Sequence, residues 1–384
     1  MATHFKSLSS PTTLFAIFTI FLLCSSSTSA SKPKTTPSKP FKKIFAFGDS
    51  FTDTGNTRSQ SGPNGFGHVS DPPYGITFFH RPTNRYSDGR LVIDFVAQSL
   101  GLPFLPPYRS VRGKAPYGVN FAVGGSTAIN HQFFVKNNLT LNITPQSIQT
   151  QLLWFEKYLA NLGCKVTDSS CKVAEFDETL FWVGEIGVND YAYTLGSSVL
   201  PDTIQKLAIS SFSGFLTSLL KKGAKYVVVQ GIPMAGCLPL SMALAPEGDR
   251  DNIGCVKSIN DEISSHNQAL LQVIQNLRTQ FPKAVISYAD YWNAYRTVMQ
   301  NPRQYGITEP FKACCGNGEP YNFDVFQTCG TPAATVCSNP SQYINWDGVH
   351  LTEGMYNVVS NMFLKGNLVQ PPFSSLLDKK LRQG

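Results

Sequence analysis

The chain has 384 residues, 42% of them hydrophobic and 15% charged, a balance that suits a folded body with a sizeable core and excludes a disordered or fibrous chain. Its formal net charge of +7 is an excess located at the two ends: Lys32, Lys34, Lys39, Lys42 and Lys43 precede the first strand, and Lys379, Lys380 and Arg382 close the chain. The body between them is near neutral and offers no basic face, so nucleic acid is excluded as a partner.

Residues 1–30 carry no acid, one lysine (Lys6), an apolar core from Leu14 to Cys24 and a small polar run ending Thr28-Ser29-Ala30. That pattern predicts a secretory signal peptide cleaved after Ala30, with a core too short to span a bilayer. No later run is long enough for stable membrane insertion. Residues 31–43, rich in Pro, Ser, Thr and Lys, read as a flexible basic arm. Residues 44–384 then form a single domain, with no internal repeat and no linker.

Eight of the nine cysteines lie beyond the signal, an even number in a chain bound for an oxidising compartment, so disulfides are expected. Cys164 with Cys171, and Cys237 with Cys255, would close short loops, while Cys314, Cys315, Cys329 and Cys337 cluster; spacing leaves the pairing open. None forms a C-x-x-C, and neither a metal site nor a cofactor is expected. Asn138-Leu139-Thr140 and Asn142-Ile143-Thr144 are glycosylation sequons, which fits a surface loop.

Ile44 to Phe47 is an apolar run that stops in Gly48-Asp49-Ser50-Phe51-Thr52-Asp53-Thr54-Gly55-Asn56. It predicts a buried strand delivering Ser50 into a turn at its carboxyl end, the edge at which open parallel sheets bind ligands. Residues 56–87 predict a long loop over that turn. Its aromatics, Phe66, Tyr74, Phe78 and Phe79, either line a cleft or pack the loop onto the body. Asp88 is expected to cap a helix through Leu91, Ile93, Phe95, Val96 and Leu100.

A second strand, Gly118 to Val123, ends in Gly124-Gly125-Ser126-Thr127, where paired glycines allow positive φ and close backbone approach to a ligand. Thr144-Pro145 is expected to open a helix through Ile148, Leu152, Phe155 and Leu159. A third strand, Thr179 to Val183, runs into Gly184-Glu185-Ile186-Gly187-Val188-Asn189-Asp190. Helices over Pro201–Lys222 and about Val256–Phe281 alternate with strands at Lys225–Gln230 and Ala284–Ala289. Such alternation predicts a parallel sheet covered on both faces. After a loop-rich stretch comes Trp346-Asp347-Gly348-Val349-His350-Leu351-Thr352, with Thr352 capping a final amphipathic helix.

A hydroxyl at Ser50 needs a base, an orienting acid and an oxyanion site to serve as a nucleophile. His68 and His80 lie in the aromatic loop, His131 after the glycine pair, and His266 inside the long helix on a face of no evident chemistry. Only His350 has a carboxylate three residues earlier in a short turn. There Asp347 can reach Nδ1 and leave Nε2 free for a serine proton.

The ordered blocks FGDSFTDTGN (47–56), NFAVGGST (120–127), GVND (187–190) and DGVH (347–350) resemble the four signature blocks of the plant GDSL esterase/lipase family, within the SGNH hydrolase superfamily. The resemblance implies a three-layer α/β/α sandwich on a flavodoxin-like, five-stranded parallel sheet. It implies Ser50 as nucleophile, His350 as base and Asp347 as orienting acid. The oxyanion hole would be the N–H groups of Ser50 and Gly125 with the side-chain amide of Asn189; Gly124 in place of Gly125 stays open, because adjacent glycines leave the alignment free by one.

The expected reaction is cleavage of a small-molecule carboxylic ester through a Ser50 acyl-enzyme. PPYGITFFHRPTNRYSDGRLVIDF and GEIGVNDYAYTLGS are similar to the branch with chlorogenate-dependent caffeoyltransferases. That similarity implies an alternative, transfer of a phenolic (hydroxycinnamoyl) group to a polyol acceptor. A third reading is a secreted binding protein without catalysis. The expected location is extracellular, in the apoplast, with the vacuole as alternative.

Overall fold

The apolar runs build one sheet: β1 (Lys43–Phe47), β2 (Gly118–Asn120), β3 (Thr179–Val183), β4 (Tyr226–Gln230) and β5 (Val285–Ala289) lie parallel. A short β6 (Val369–Gln370) adds antiparallel to β5, giving the order β6-β5-β4-β3-β1-β2. The computed structural model describes residues 40–59, 66–139, 144–163 and 176–383. The expected signal peptide, most of the basic arm, Asn142, Cys164 and Cys171 lie outside those residues. The arm's expected end at Lys43 lies too far along the chain, because Phe41 is fully buried against Tyr226 and Lys43 already pairs with Thr179 in β1.

The main helices are α1 (Val92–Ser99), α2 (Ile148–Asn161), α3 (Val188–Ala192), α4 (Pro201–Lys221), α5 (Lys257–Gln280), α6 (Tyr291–Gln300), α7 (Glu353–Leu364) and α8 (Phe373–Gln383). Every residue of β3, β4 and β5 is buried, as continuous apolar strands require when both faces are covered. Alternate residues feed two cores. Ile44, Ala46, Trp182 and Val228 face the one that holds α1, α6 and α7; Phe45, Phe47, Phe181 and Val229 face the one that holds α2 and α4. This is the expected three-layer α/β/α sandwich, with one more strand than the five expected. None of the described helices is long and apolar enough to cross a membrane.

Two expected helix starts are corrected by tertiary partners. Helix α1 begins after Leu91, and the carboxylate of Asp94 in its first turn accepts the Leu91 N–H at 3.0 Å. Asp88 instead accepts the Glu353 N–H at 2.7 Å, so it serves the start of α7. Thr144 does not open α2, whose N-cap is Ser147; the Thr144 hydroxyl donates to the Gly124 carbonyl at 2.9 Å.

The cysteine cluster is a scaffold for the turn after it. Cys314 pairs with Cys337, Cys315 with Cys329, and Cys237 with Cys255. Loops of this length stabilise by about 3 kcal/mol per bridge in the chain-entropy account. The backbone N–H groups of Cys314 and Cys315 donate to the carbonyls of Asn345 and Trp346 at 2.9 and 2.7 Å, which suspends the following residues over the carboxyl edge of the sheet.

Candidate active site

Gly48 ends β1 at φ +139°, a conformation that L side chains rarely adopt, and a Cβ there would stand 3.2 Å from the Gly184 Cα. That close turn sets Ser50 at the strand end. Gln151 of α2, which the sequence did not single out, holds it from below. Its amide oxygen accepts the Gly48 N–H at 3.0 Å, and its amide nitrogen donates to the Gly48 carbonyl at 2.7 Å and to the Ser126 hydroxyl at 2.9 Å. The turn carrying Ser50 and the one carrying Gly125 are further joined by the Val123 N–H to the Gly48 carbonyl at 3.2 Å.

Ser50 Oγ lies 2.7 Å from His350 Nε2, and His350 Nδ1 lies 2.8 Å from Asp347 Oδ2. All three residues are buried. With the Nδ1 proton directed at the carboxylate, Nε2 is left as an acceptor for the serine O–H. Asp347 Oδ1 also accepts the N–H groups of Val349 and His350 at 3.1 and 2.9 Å, so the DGVH turn closes on its own acid. The Tyr74 hydroxyl donates to Asp347 Oδ2 at 2.6 Å. Burial by itself would raise the Asp347 carboxyl, but the charge and hydrogen bonds of His350 and the Tyr74 bond outweigh it and hold the group below its usual range.

The imidazole sits in an aromatic frame. The Tyr86 ring lies 4.5 Å from it at a 30° tilt, with Phe51 and Phe66 each at 5.5 Å. The aromatic loop therefore divides: Tyr74 and Phe66 reach the site, whereas Phe78 and Phe79 cluster with Phe104 and sit against Arg90 and Arg85.

The glycine pair left open by sequence is separated by its partners. The Gly124 N–H is engaged by Asp53 Oδ2 at 2.9 Å and Thr57 Oγ1 at 2.8 Å. The Gly125 N–H, at φ +78°, has no partner among the described residues, and neither has the Ser50 N–H. Asp53 owes its place to the same turn, accepting Gly55, Asn56 and Thr57 N–H groups at 2.8, 2.6 and 2.9 Å.

Asn189, at the start of α3, reaches the site with its amide nitrogen donating to Asp49 Oδ2 at 2.8 Å and to the Ser126 carbonyl at 3.0 Å. Asp49 also accepts the Phe51 N–H at 3.0 Å and braces the turn. His266 is not on an indifferent face: it is buried beside Gly187, with Nδ1 3.0 Å from the Tyr191 hydroxyl, and burial pushes it down to about 4. Asn138 is exposed at φ +56°.

Residues 44–363 match the profile of GDSL-like lipases/acylhydrolases. The chain belongs to that family. A GDSL esterase/lipase of Arabidopsis thaliana is 62% identical over 380 residues, covering 97% of this chain and 98% of the relative. Acetylajmalan esterase 2 of Rauvolfia serpentina is 41% identical over 322 residues, covering 83% of this chain and 88% of the relative. Among solved structures, an acetylxylan esterase from Geobacillus stearothermophilus aligns at a TM-score of 0.40 and 12% identity, over 85% of this chain and 95% of the other. As a member of the GDSL family the chain is a serine hydrolase of carboxylic esters.

Proposed function

We propose that Ser50, His350 and Asp347 form the catalytic triad of this esterase and that its substrates are small-molecule esters. The observation that carries the reading is the 2.7 Å contact between Ser50 Oγ and His350 Nε2, with Asp347 on the far side of the ring. As Ser50 Oγ attacks the ester carbonyl carbon, Nε2 takes its proton and the imidazolium is stabilised by Asp347. The carbonyl oxygen becomes an oxyanion, which the free N–H groups of Ser50 and Gly125 bind. Asn189 joins them by giving up its longer bond, to the Ser126 carbonyl.

Collapse breaks the bond to the alcohol, which leaves with the proton from Nε2. Water then attacks the acyl-enzyme as His350 takes its proton, and the acid departs while Ser50 regains its hydrogen. Phe66, 5.5 Å from the His350 ring and stacked on Phe323 with centroids 6.5 Å apart, gives the acyl or alcohol portion an apolar wall. The relative named acetylajmalan esterase supports an acetylated small molecule as the substrate class.

The route is secretory. The expected signal peptide, the three cystines among the described residues and the exposed Asn138 support export to the apoplast and glycosylation.

An alkyl fluorophosphonate tests the nucleophile: it should label the wild-type protein and leave Ser50→Ala unlabelled, with p-nitrophenyl acetate turnover lost in parallel. A well-folded wild type that takes no label overturns the triad and leaves a binding protein. Chlorogenate offered with and without a polyol separates hydrolysis from transfer, since new caffeoyl esters with little free caffeate would replace the hydrolase reading by an acyltransferase.

A further inference from the structure

One buried acid has no part in the steps above. Glu185 follows β3, is fully buried, and among the described residues no donor makes a hydrogen bond to either of its carboxyl oxygens. A carboxylate kept from water without donors is costly, and a group in that position takes up a proton instead.

Its neighbour supplies the reason it is there. Phe47 and Val183 are the last paired residues of β1 and β3, and the pairing continues beyond them: the Gly184 N–H donates to the Phe47 carbonyl at 2.8 Å, and Gly48 and Gly184 lie in contact. Asp49 and Glu185, each two residues further on, leave adjacent strand ends with carboxyl facing carboxyl. Two ionised carboxylates are acceptors only, so a bond between them exists when one of the pair carries a proton. Asp49 accepts well-formed bonds from two N–H donors, of Phe51 and Asn189, which favour its anion; Glu185 accepts no bond of that quality, and the Val188 N–H nearby is the least of the influences on it. Burial drives Glu185 well above the usual carboxyl range, and the nearby Asp49 adds to it.

We propose that Glu185 is a positioning residue for catalysis: a neutral carboxylic acid that donates its O–H to Asp49 and so fixes the Asp49 oxygen that aims the Asn189 amide at the oxyanion. This rests on the reading of Asn189 as an oxyanion donor. The order is Glu185 to Asp49 to Asn189, with only Asn189 touching the reacting atoms. Keeping the pair at a single negative charge also spares the developing oxyanion a second anion nearby, which would oppose it.

The test compares three variants. Glu185→Gln replaces the O–H by an N–H donor of similar shape and should keep kcat within the same order of magnitude. Glu185→Leu removes the donor and should lower kcat by about 10- to 100-fold with KM unchanged, the scale at which orienting partners act. Infrared difference spectra at neutral pH should show a protonated-carboxyl stretching band in the wild type that Glu185→Gln lacks.

Absence of that band, equal loss in the Gln and Leu variants, or full kcat in the Leu variant overturns the proposal; if the Leu variant does not fold, the Gln variant and the band decide. Asn189→Ala separates the two readings. Should it retain wild-type kcat, the oxyanion role of Asn189 and the aiming role of Glu185 both fall, while the band still decides the shared proton.

Discussion

Tyr74 and Asp347, 273 positions apart, meet in a 2.6 Å hydrogen bond that gives the Asp347 carboxylate a second anchor beyond His350. Tyr74→Phe keeps the ring and removes the donor. A hydrogen bond to a charged group contributes about 1.5–3 kcal/mol, and a loss of that size is expected in urea unfolding at neutral pH. The folded Asp347 carboxyl sits below its ordinary value, so its contribution is complete above about pH 3.9, its unfolded value, and is lost as pH falls through the folded one. The gap between variant and wild type should therefore narrow in acid. A constant gap across that range would place the effect of Tyr74 in packing instead.

Asp347→Asn tests orientation of the base. An amide can donate to Nδ1 and so favours the tautomer that carries its proton on Nε2, where it faces Ser50 with a donor. Turnover of p-nitrophenyl acetate should fall by about 10⁴-fold, with the fold and KM little changed. A loss below tenfold would mean that the turn holds His350 in register without the acid.

Gln151→Leu removes the only partner that the Gly48 N–H has among the described residues and leaves that buried donor orphaned. The expected cost is about 1–3 kcal/mol in the urea midpoint free energy. Since Ser50 stands two residues away, labelling by fluorophosphonate should slow in the same variant. Unchanged stability would show that the strand end is held by its backbone bonds alone.

His266 makes the protein sensitive to acid from a position outside the proposed triad. It is buried and its folded value lies near 4 against 6.5 for the free side chain, so the unfolded chain binds more protons between those limits and stability is lost as pH falls through them. The size is about 3 kcal/mol. Asp190, pushed up by burial to about 7, works in the opposite sense over much of the same window. A simple pH scan would partly cancel, whereas the difference between His266→Gln and wild type isolates the histidine: it should move in the variant's favour by that amount from pH 6.5 to 4. A flat difference would refute the assignment.

The five parallel strands were legible to within a few residues because a strand buried on both faces has to be apolar throughout, and the four blocks located Ser50, Gly125, Asn189, Asp347 and His350 at one edge. Strand β6 escaped notice because two residues carry no periodicity. Residues whose role is set by a distant partner were equally silent: Gln151 reaches Gly48 across 103 positions, and Asp88, a residue type that suits a cap, serves a helix 265 positions away. Glu185 is marked in the sequence only as an acid lodged between a buried strand and a glycine turn, where an isolated charge has no reason to be.

Ser50 and His350 stand 300 positions apart and touch. On the proposed roles, a nascent chain, a truncated chain or one with its last third misplaced contains Ser50 but not its partner His350, and has no ester chemistry to offer. Ester turnover by this protein is thus an assay of its own completed folding, sensitive to a contact that spans most of the chain and that a partly folded state lacks.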